Sequence, residues 1–218
     1  MYLENAAVRE AAFGNMTAAR QAAAAGRKLD PESAGVSAEA ALAFAMVGDS
    51  TQAKSLVQDL NQRFPVHTQM QSIFLPPVRA QLALKQGNPG EAIKDLQAAS
   101  PPIEFALIPF TVNASCLYPT YIRGEAYLAA GEGSAGASEF QKILDHSGIV
   151  WNCWTGALAH LGVARANALE AKALQGAEAD AARARALAAY RDFLKLWKDA
   201  DPSVPIYKAA KAEYGKLQ

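Results

Sequence analysis

Apolar residues recur every three or four positions along most of the chain, and the helical runs they define break at regularly placed glycines. The first break is Gly14-Asn15. Ala19 and Ala23 then occupy small inner positions of a second run, which Asp30-Pro31 stops. Gly48-Asp49, Ala53, Val57 and Pro65 restate this order. Gly14 to Pro31 and Gly48 to Pro65 are both 17 residues, and Gly14 to Gly48 is 34. A third pair turns at Gly87-Asn88, with Ala80, Leu82 and Leu84 before it and Ala92, Leu96 and Ala99 after. The step from Gly48 to Gly87 is 39, which places about five extra residues around 67–75. From Gly87 to Gly131 it is 44, and the excess lies in 100–116, an apolar stretch with prolines at both ends of its first half and no helical period. A loop of that length without a function is uncommon.

The fourth pair is the most explicit. Gly124 and Tyr127 stand three apart on one helix, Gly131 breaks the pattern, and Phe140 is the large apolar residue of the next. Glycine lets two helices approach, the tyrosine fills the space beside it, and the second helix's aromatic closes the hairpin. Phe44 precedes Gly48 by four, as Tyr127 precedes Gly131. A 34-residue period with this arrangement resembles the tetratricopeptide repeat (TPR). A fifth pair is stretched: 156–174 and 178–198, turning at Gln175-Gly176, are expected to be the longest helices. After Asp201-Pro202, with Ser203 as N-cap, the stripe Ile206, Tyr207, Ala210, Tyr214 and Leu217 predicts an amphipathic helix that closes the last open face. The expected fold is therefore all-α: a TPR-like right-handed superhelix of about five hairpins (1–33, 34–66, 67–100, 117–147, 152–200) plus a C-terminal capping helix over 203–217, in one domain.

The runs RGEAYLAAGEG, EFQKILDHSGIV, GALAHLGVARA and YRDFLKLWKDADPSVPIYKAAKAEYGKLQ resemble the C-terminal TPR region of acidobacterial serine/threonine protein kinases. A similar region ends some winged-helix transcriptional regulators. The likeness is tight from Leu117 onward and looser before it. It departs at an insertion over 169–182 and at Cys153-Trp154, where that family has Asp-Pro. The resemblance implies a non-catalytic interaction or sensory module, attached to a kinase or a regulator and commonly following a membrane span. No catalytic residue carries over. A free-standing assembly scaffold is the alternative.

Composition narrows the function further. Alanine exceeds a fifth of the 218 residues, which favours helix, and 21 basic residues balance 21 acidic ones. No net field draws nucleic acid or an anionic membrane, and no apolar run is long enough to insert in one. The start of the chain lacks the basic and apolar regions of a signal peptide. Gly131, Gly133 and Gly136 match a dinucleotide fingerprint but follow a helix, so they read as an interhelical turn. His67, His146 and His160 stand apart from one another and from other ligand types, and the kinase motifs are missing. No catalytic, cofactor or metal residue is assigned. Trp151, Trp154 and Trp197 read as core or end-packing residues, and the lysines around Lys195 and Lys208 as a solvated face.

Function in such an array falls to the face lined by the first helices. The expected groove residues are Phe74, Gln81, Lys85, Tyr118, Tyr121, Glu125 and Leu128, with a protein or peptide as partner. Their apolar character disfavours a clamp for a peptide carboxylate. Phe74, Tyr118, Tyr121 and Leu128 are not all expected to turn inward, and the apolar stretch 101–116 is expected to cover them at least partly. Cys116 and Cys153 each precede the first helix of a hairpin; neighbouring loops can bring Cα atoms within the ~7 Å a disulfide needs, whereas helix axes ~8–10 Å apart only nearly do. A bridge would argue for an oxidising, extracytoplasmic location.

Overall fold

The computed structural model describes residues 2–97 and 116–218, and these are helical, without strands. Ala99, expected on the second helix of the third hairpin, and the apolar stretch from Ser100 to Ser115 lie outside the described residues. Two compact units divide the chain, 1–119 and 120–218.

The first unit holds α1 (Tyr2–Phe13), α2 (Met16–Leu29), α3 (Ala34–Met46), α4 (Ser50–Arg63), α5 (Leu75–Lys85) and α6 (Pro89–Leu96). They form three hairpins, α1–α2, α3–α4 and α5–α6, and the first helices pack in succession, α1 on α3 and α3 on α5. Helix α3 is therefore covered on nearly every side, and its residues from Val36 through Met46 are all buried. That is why its sequence is alanine-rich and nearly uniform rather than amphipathic.

One turn recurs at the hairpin tips. Gly14, Gly48 and Gly87 have φ of 89°, 81° and 75°, and Gly131 in the second unit has 83°. The residue after each glycine donates its N–H to the carbonyl five positions back: Asn15 to Glu10, Asp49 to Phe44, Asn88 to Ala83 and Glu132 to Tyr127, at 2.8, 2.8, 3.0 and 2.9 Å. This Schellman closure satisfies carbonyls that a helix end leaves bare, and it requires a left-handed residue that glycine supplies without strain. The 34-residue spacing is thus the spacing of one repeated backbone device.

The extra residues of the third hairpin are helical. Met70–Phe74 form a π-helical turn that runs directly into α5. Pro76 and Pro77 follow at once; neither has an N–H to give the preceding turn, and their rings crowd carbonyls four residues back. A widened turn accommodates both effects.

The second unit contains α7 (Tyr118–Ala129) from Thr120 onward, α8 (Gly133–Asp145), the single turn α9 (Ser147–Val150), α10 (Trp154–Ala173), α11 (Gly176–Leu196) and α12 (Pro205–Leu217). Helices α10 and α11, of 20 and 21 residues, are the longest pair, unbroken through the inserted segment as expected. Helix α12 starts at Pro205 with Val204 as N-cap; Ser203 instead donates its N–H to Asp201 Oδ1 at 2.7 Å. Helices α8 and α11 both pack on α10, and α12 packs on α11.

Phe140 of α8 is the centre of this unit. A Cβ placed on Gly124 of α7 would stand 2.7 Å from its ring, and one on Gly162 of α10 would stand 2.5 Å from it. The ring is therefore held between two bare backbones, 1% exposed. Tyr121 meets it edge-on at 5.4 Å and Trp154 at 4.8 Å. Gly133 does the same for a backbone contact, its absent Cβ leaving room for the Ala166 carbonyl. The three glycines of the apparent dinucleotide fingerprint are thus a turn and two close approaches. Arg123 of α7 reaches Glu139 of α8 at 2.8 Å, and Lys142 also pairs with that carboxylate. Arg165 holds Glu213 bidentately at 2.8 and 2.9 Å, and the Tyr190 hydroxyl donates to the same carboxylate at 3.0 Å. This polar latch fastens α12 to α10 and α11.

Candidate functional site

The residues expected to line a groove divide between the two units. In the first, Phe74 is partly buried against Ala38, Leu60, Met70 and Leu75, Gln81 is buried, Tyr118 is 3% exposed, and Lys85 stands in solvent. In the second, Glu125 and Leu128 are half-buried, and Tyr121 is 5% exposed between Phe140 and Trp154. Tyr118 and Tyr121 turn inward while Phe74 and Leu128 stay partly exposed, so the four do not all turn inward. For Tyr121 the reason is the room left by Gly124 and Gly162, which draws Phe140 deep and opens a slot for a second ring. Burial pushes its hydroxyl pKa well above the usual tyrosine range. A buried ring of this kind is core and is not presented to a partner.

A concavity of the second unit lies elsewhere, on the side of the second helices. It is a trough with α10 as floor and α8 and α11 as walls. Helix α8 contributes Ser134, Ala137, Ser138, Gln141 and Leu144; α10 contributes His160, Val163, Asn167 and Glu170; α11 contributes Arg185, Ala188, Ala189 and Asp192. Each set follows helical spacing of three or four, so each is one face. Alanine and serine on the walls are too short to close the gap, and a cleft of about 580 Å³ remains.

Its far end is polar and firmly built. Arg185 Nε donates to Asn167 Oδ1 at 2.7 Å and Arg185 Nη2 to Glu170 Oε2 at 3.1 Å, while Asn167 Nδ2 donates to the Val163 carbonyl at 2.9 Å. Asn167 is 5% exposed, and both ends of its amide are engaged. At mid-trough, burial holds the His160 pKa below the ordinary histidine value, with Asp192 nearby pulling the other way. His160 is therefore neutral at pH 7 and offers one donor and one acceptor.

The near end is apolar. A second cleft of about 390 Å³ meets the first at Leu144 and His160 and continues past Gly156 and Ala157 to Val150, Trp151 and Leu196. Trp151 is 84% exposed and Leu196 58%. Trp151 also has φ 46° and ψ −111°, a conformation that costs a residue with a side chain ~1–3 kcal/mol. Hydrogen bonds on both sides hold it there: Trp151 N–H to the Ser147 carbonyl at 3.1 Å and Cys153 N–H to the Val150 carbonyl at 2.7 Å. The expectation that all three tryptophans are packed holds for Trp154, 4% exposed, and for Trp197 between Phe193 and Tyr207, but not for Trp151. The reason is the turn between α9 and α10, whose positive φ at Trp151 goes with an indole in solvent.

Cys116 and Cys153, the chain's two cysteines, are both disulfide-bonded, and neither is free. Among the described residues no group of three His, Cys, Asp or Glu is placed to hold a metal ion, and no helix is long and apolar enough to cross a membrane. Comparison with protein-family models and with curated proteins gives no match for this chain. The residues and geometry therefore carry the functional reading.

Proposed function

We propose that this chain is a non-catalytic protein- or peptide-binding module of the TPR type, its hairpins winding into a right-handed superhelix, and that its parent is a bacterial serine/threonine protein kinase. The observation that carries the reading is the recurrence of one hairpin tip, a left-handed glycine and a six-residue closure, at Gly14, Gly48, Gly87 and Gly131. A hairpin array has no enclosed centre for chemistry, but it presents long faces between helices. The trough over α10 is such a face. The disulfide bonding of both cysteines favours an oxidising compartment, which suits a module carried beyond a membrane.

The test is selection from a random peptide library displayed on phage, with the full chain immobilised without reductant. Enrichment of a shared motif whose synthetic form binds in solution supports the proposal. No enrichment from a diverse library contradicts it. The parentage is tested separately by the coding sequence upstream of Met1: a kinase domain there agrees with the proposal, and a winged-helix domain or a stop codon refutes it.

A further inference from the structure

We propose that the trough over α10 seats an extended segment of a partner protein, with an apolar side chain against Trp151 and Leu196 and a basic side chain beside Asp192. This rests on the interaction-module reading and names the site and the chemistry of the partner. The site differs from the first-helix groove expected from the sequence, since its walls are the second helices of two hairpins.

Four observations lead to it. Trp151 is held outward by a strained, hydrogen-bonded turn, so its exposure is imposed by the backbone and is not a free side chain's choice. Leu196 is exposed on the opposite wall of the same cleft. Two large apolar side chains flanking a concavity are what an apolar anchor needs to lose its water. Next, the trough's length suits an extended chain. Gly156 to Glu170 spans 14 residues of α10, or ~21 Å at 1.5 Å per residue, enough for about six residues of extended peptide. Ser138, Gln141 and the neutral His160 line that path and can meet main-chain N–H and C=O groups.

The last observation is the charge. Three ionised side chains face the trough: Arg185, Glu170 and Asp192. Arg185 is engaged by Glu170 and Asn167. His160 is neutral because burial lowers its pKa. The Asp192 side chain makes no ion pair or hydrogen bond to another described residue, so one negative charge is left for the occupant to meet. Asp192 and Leu196 are four apart on α11, about 6 Å along the helix. Two positions of extended peptide cover the same distance. The recognised segment therefore carries its basic residue two positions from its apolar anchor.

The probes are capped seven-residue Gly/Ser peptides carrying leucine and arginine two positions apart, with two controls: glutamate for the arginine, and serine for the leucine. Binding to the full, oxidised chain is followed by anisotropy of a labelled peptide and by tryptophan emission, which Trp151 dominates in solvent sensitivity because Trp154 is buried and Trp197 partly so. The leucine–arginine peptide should bind and shift emission to shorter wavelength. The glutamate control should bind about tenfold more weakly at low salt, from reversing one charge near another, and the serine control should lose most of its binding. Asp192→Asn should collapse the arginine–glutamate gap while leaving the leucine–serine gap. Trp151→Ser, at an exposed position that does not support the core, should lose the emission shift and most of the affinity, with its melting temperature unchanged or raised. Equal binding of the arginine and glutamate peptides, a gap that survives Asp192→Asn, or no binding up to millimolar concentration overturns the inference. If library-selected peptides bind Trp151→Ser and Asp192→Asn as tightly as the parent chain, the interaction module stands and this site falls.

Discussion

Substituting Gly162 by alanine tests whether Phe140 is the fixed centre of the second unit. The new Cβ would lie 2.5 Å from the Phe140 ring, and the opposite side of the ring is blocked by Gly124, where a Cβ would already be at 2.7 Å. Ordinary contact is about 3.5–4 Å, so the ring must move by roughly an ångström with nowhere to go. Overpacking of a tight core costs ~1–3 kcal/mol, and a ring pinned on both sides belongs at the upper end. Alanine returns up to ~1 kcal/mol of helix propensity relative to glycine. The net is about 2 kcal/mol of destabilisation, or a fall in melting temperature of about 4–8 °C for a chain of this size. Gly215 in α12 is the control, because a Cβ there meets nothing within 4 Å. Gly215→Ala should raise stability by up to ~1 kcal/mol. Both variants and the parent would be compared by thermal melting and urea titration under oxidising conditions. Adding Phe140→Leu to Gly162→Ala should cost less than the sum of the two single changes, since the smaller side chain removes the clash. A Gly162→Ala protein as stable as the parent, or a Gly215→Ala protein that falls as far, would refute the reasoning.

Other outcomes follow from the same structure. Thiol titration of unreduced, unfolded protein should detect no free thiol, and two after reduction; two at the outset would remove the argument for an oxidising location. Glu213→Ala should cost ~1–2 kcal/mol in urea unfolding, reduced from the buried-pair range because Arg165 and Glu213 are each about a third exposed; Glu213→Gln should lose less, keeping a partner for Tyr190. Tyr121 and Tyr190 have hydroxyl pKa values raised first by burial, and for Tyr190 next by Glu213. The unfolded chain ionises them near pH 10 while the native one stays protonated, so stability should fall as pH rises above ~10. Tyr190→Phe should flatten that decline, and a urea midpoint unchanged between pH 9 and 11 would contradict it. His160, lowered by burial, works in the acid direction: the unfolded chain takes up a proton below about pH 6.5 that the native one refuses. Stability should therefore decline as pH falls below that value, less so in His160→Gln.

The hairpins were legible because the signal that marks them is local. A glycine at the tip and a proline at the stop are conformational necessities, and their spacing survives any change of partner or function. The length of α10 and α11 was legible for a similar reason: no proline lies within either one, and Gly156 and Gly162 sit inside α10 with no turn residues beside them. The trough was not. Ser134, Ala137, Ser138 and Gln141 on α8 read as an ordinary solvated face, and nothing in a single helix's pattern tells whether two such faces enclose a third. The outward Trp151 leaves no signal in the sequence because a tryptophan's burial depends on the backbone turn beneath it; the single turn Ser147–Val150 and the turn after it leave no periodic trace. Tyr121 reads as groove in the sequence because the glycine pair that admits Phe140 comes from two different hairpins, Gly124 on α7 and Gly162 on α10.

The most direct test of the account is to map a selected peptide onto the protein by nuclear magnetic resonance. The peptide from the library selection is added to oxidised, ¹⁵N-labelled full chain, and the amide and indole shifts are followed. The account predicts that the largest changes fall on the trough-facing residues of α8, α10 and α11, with Ser138, Gln141, His160 and Asp192 among them, and on the indole N–H of Trp151. Changes confined to α3 and α5, with the Trp151 indole signal unmoved, would contradict it.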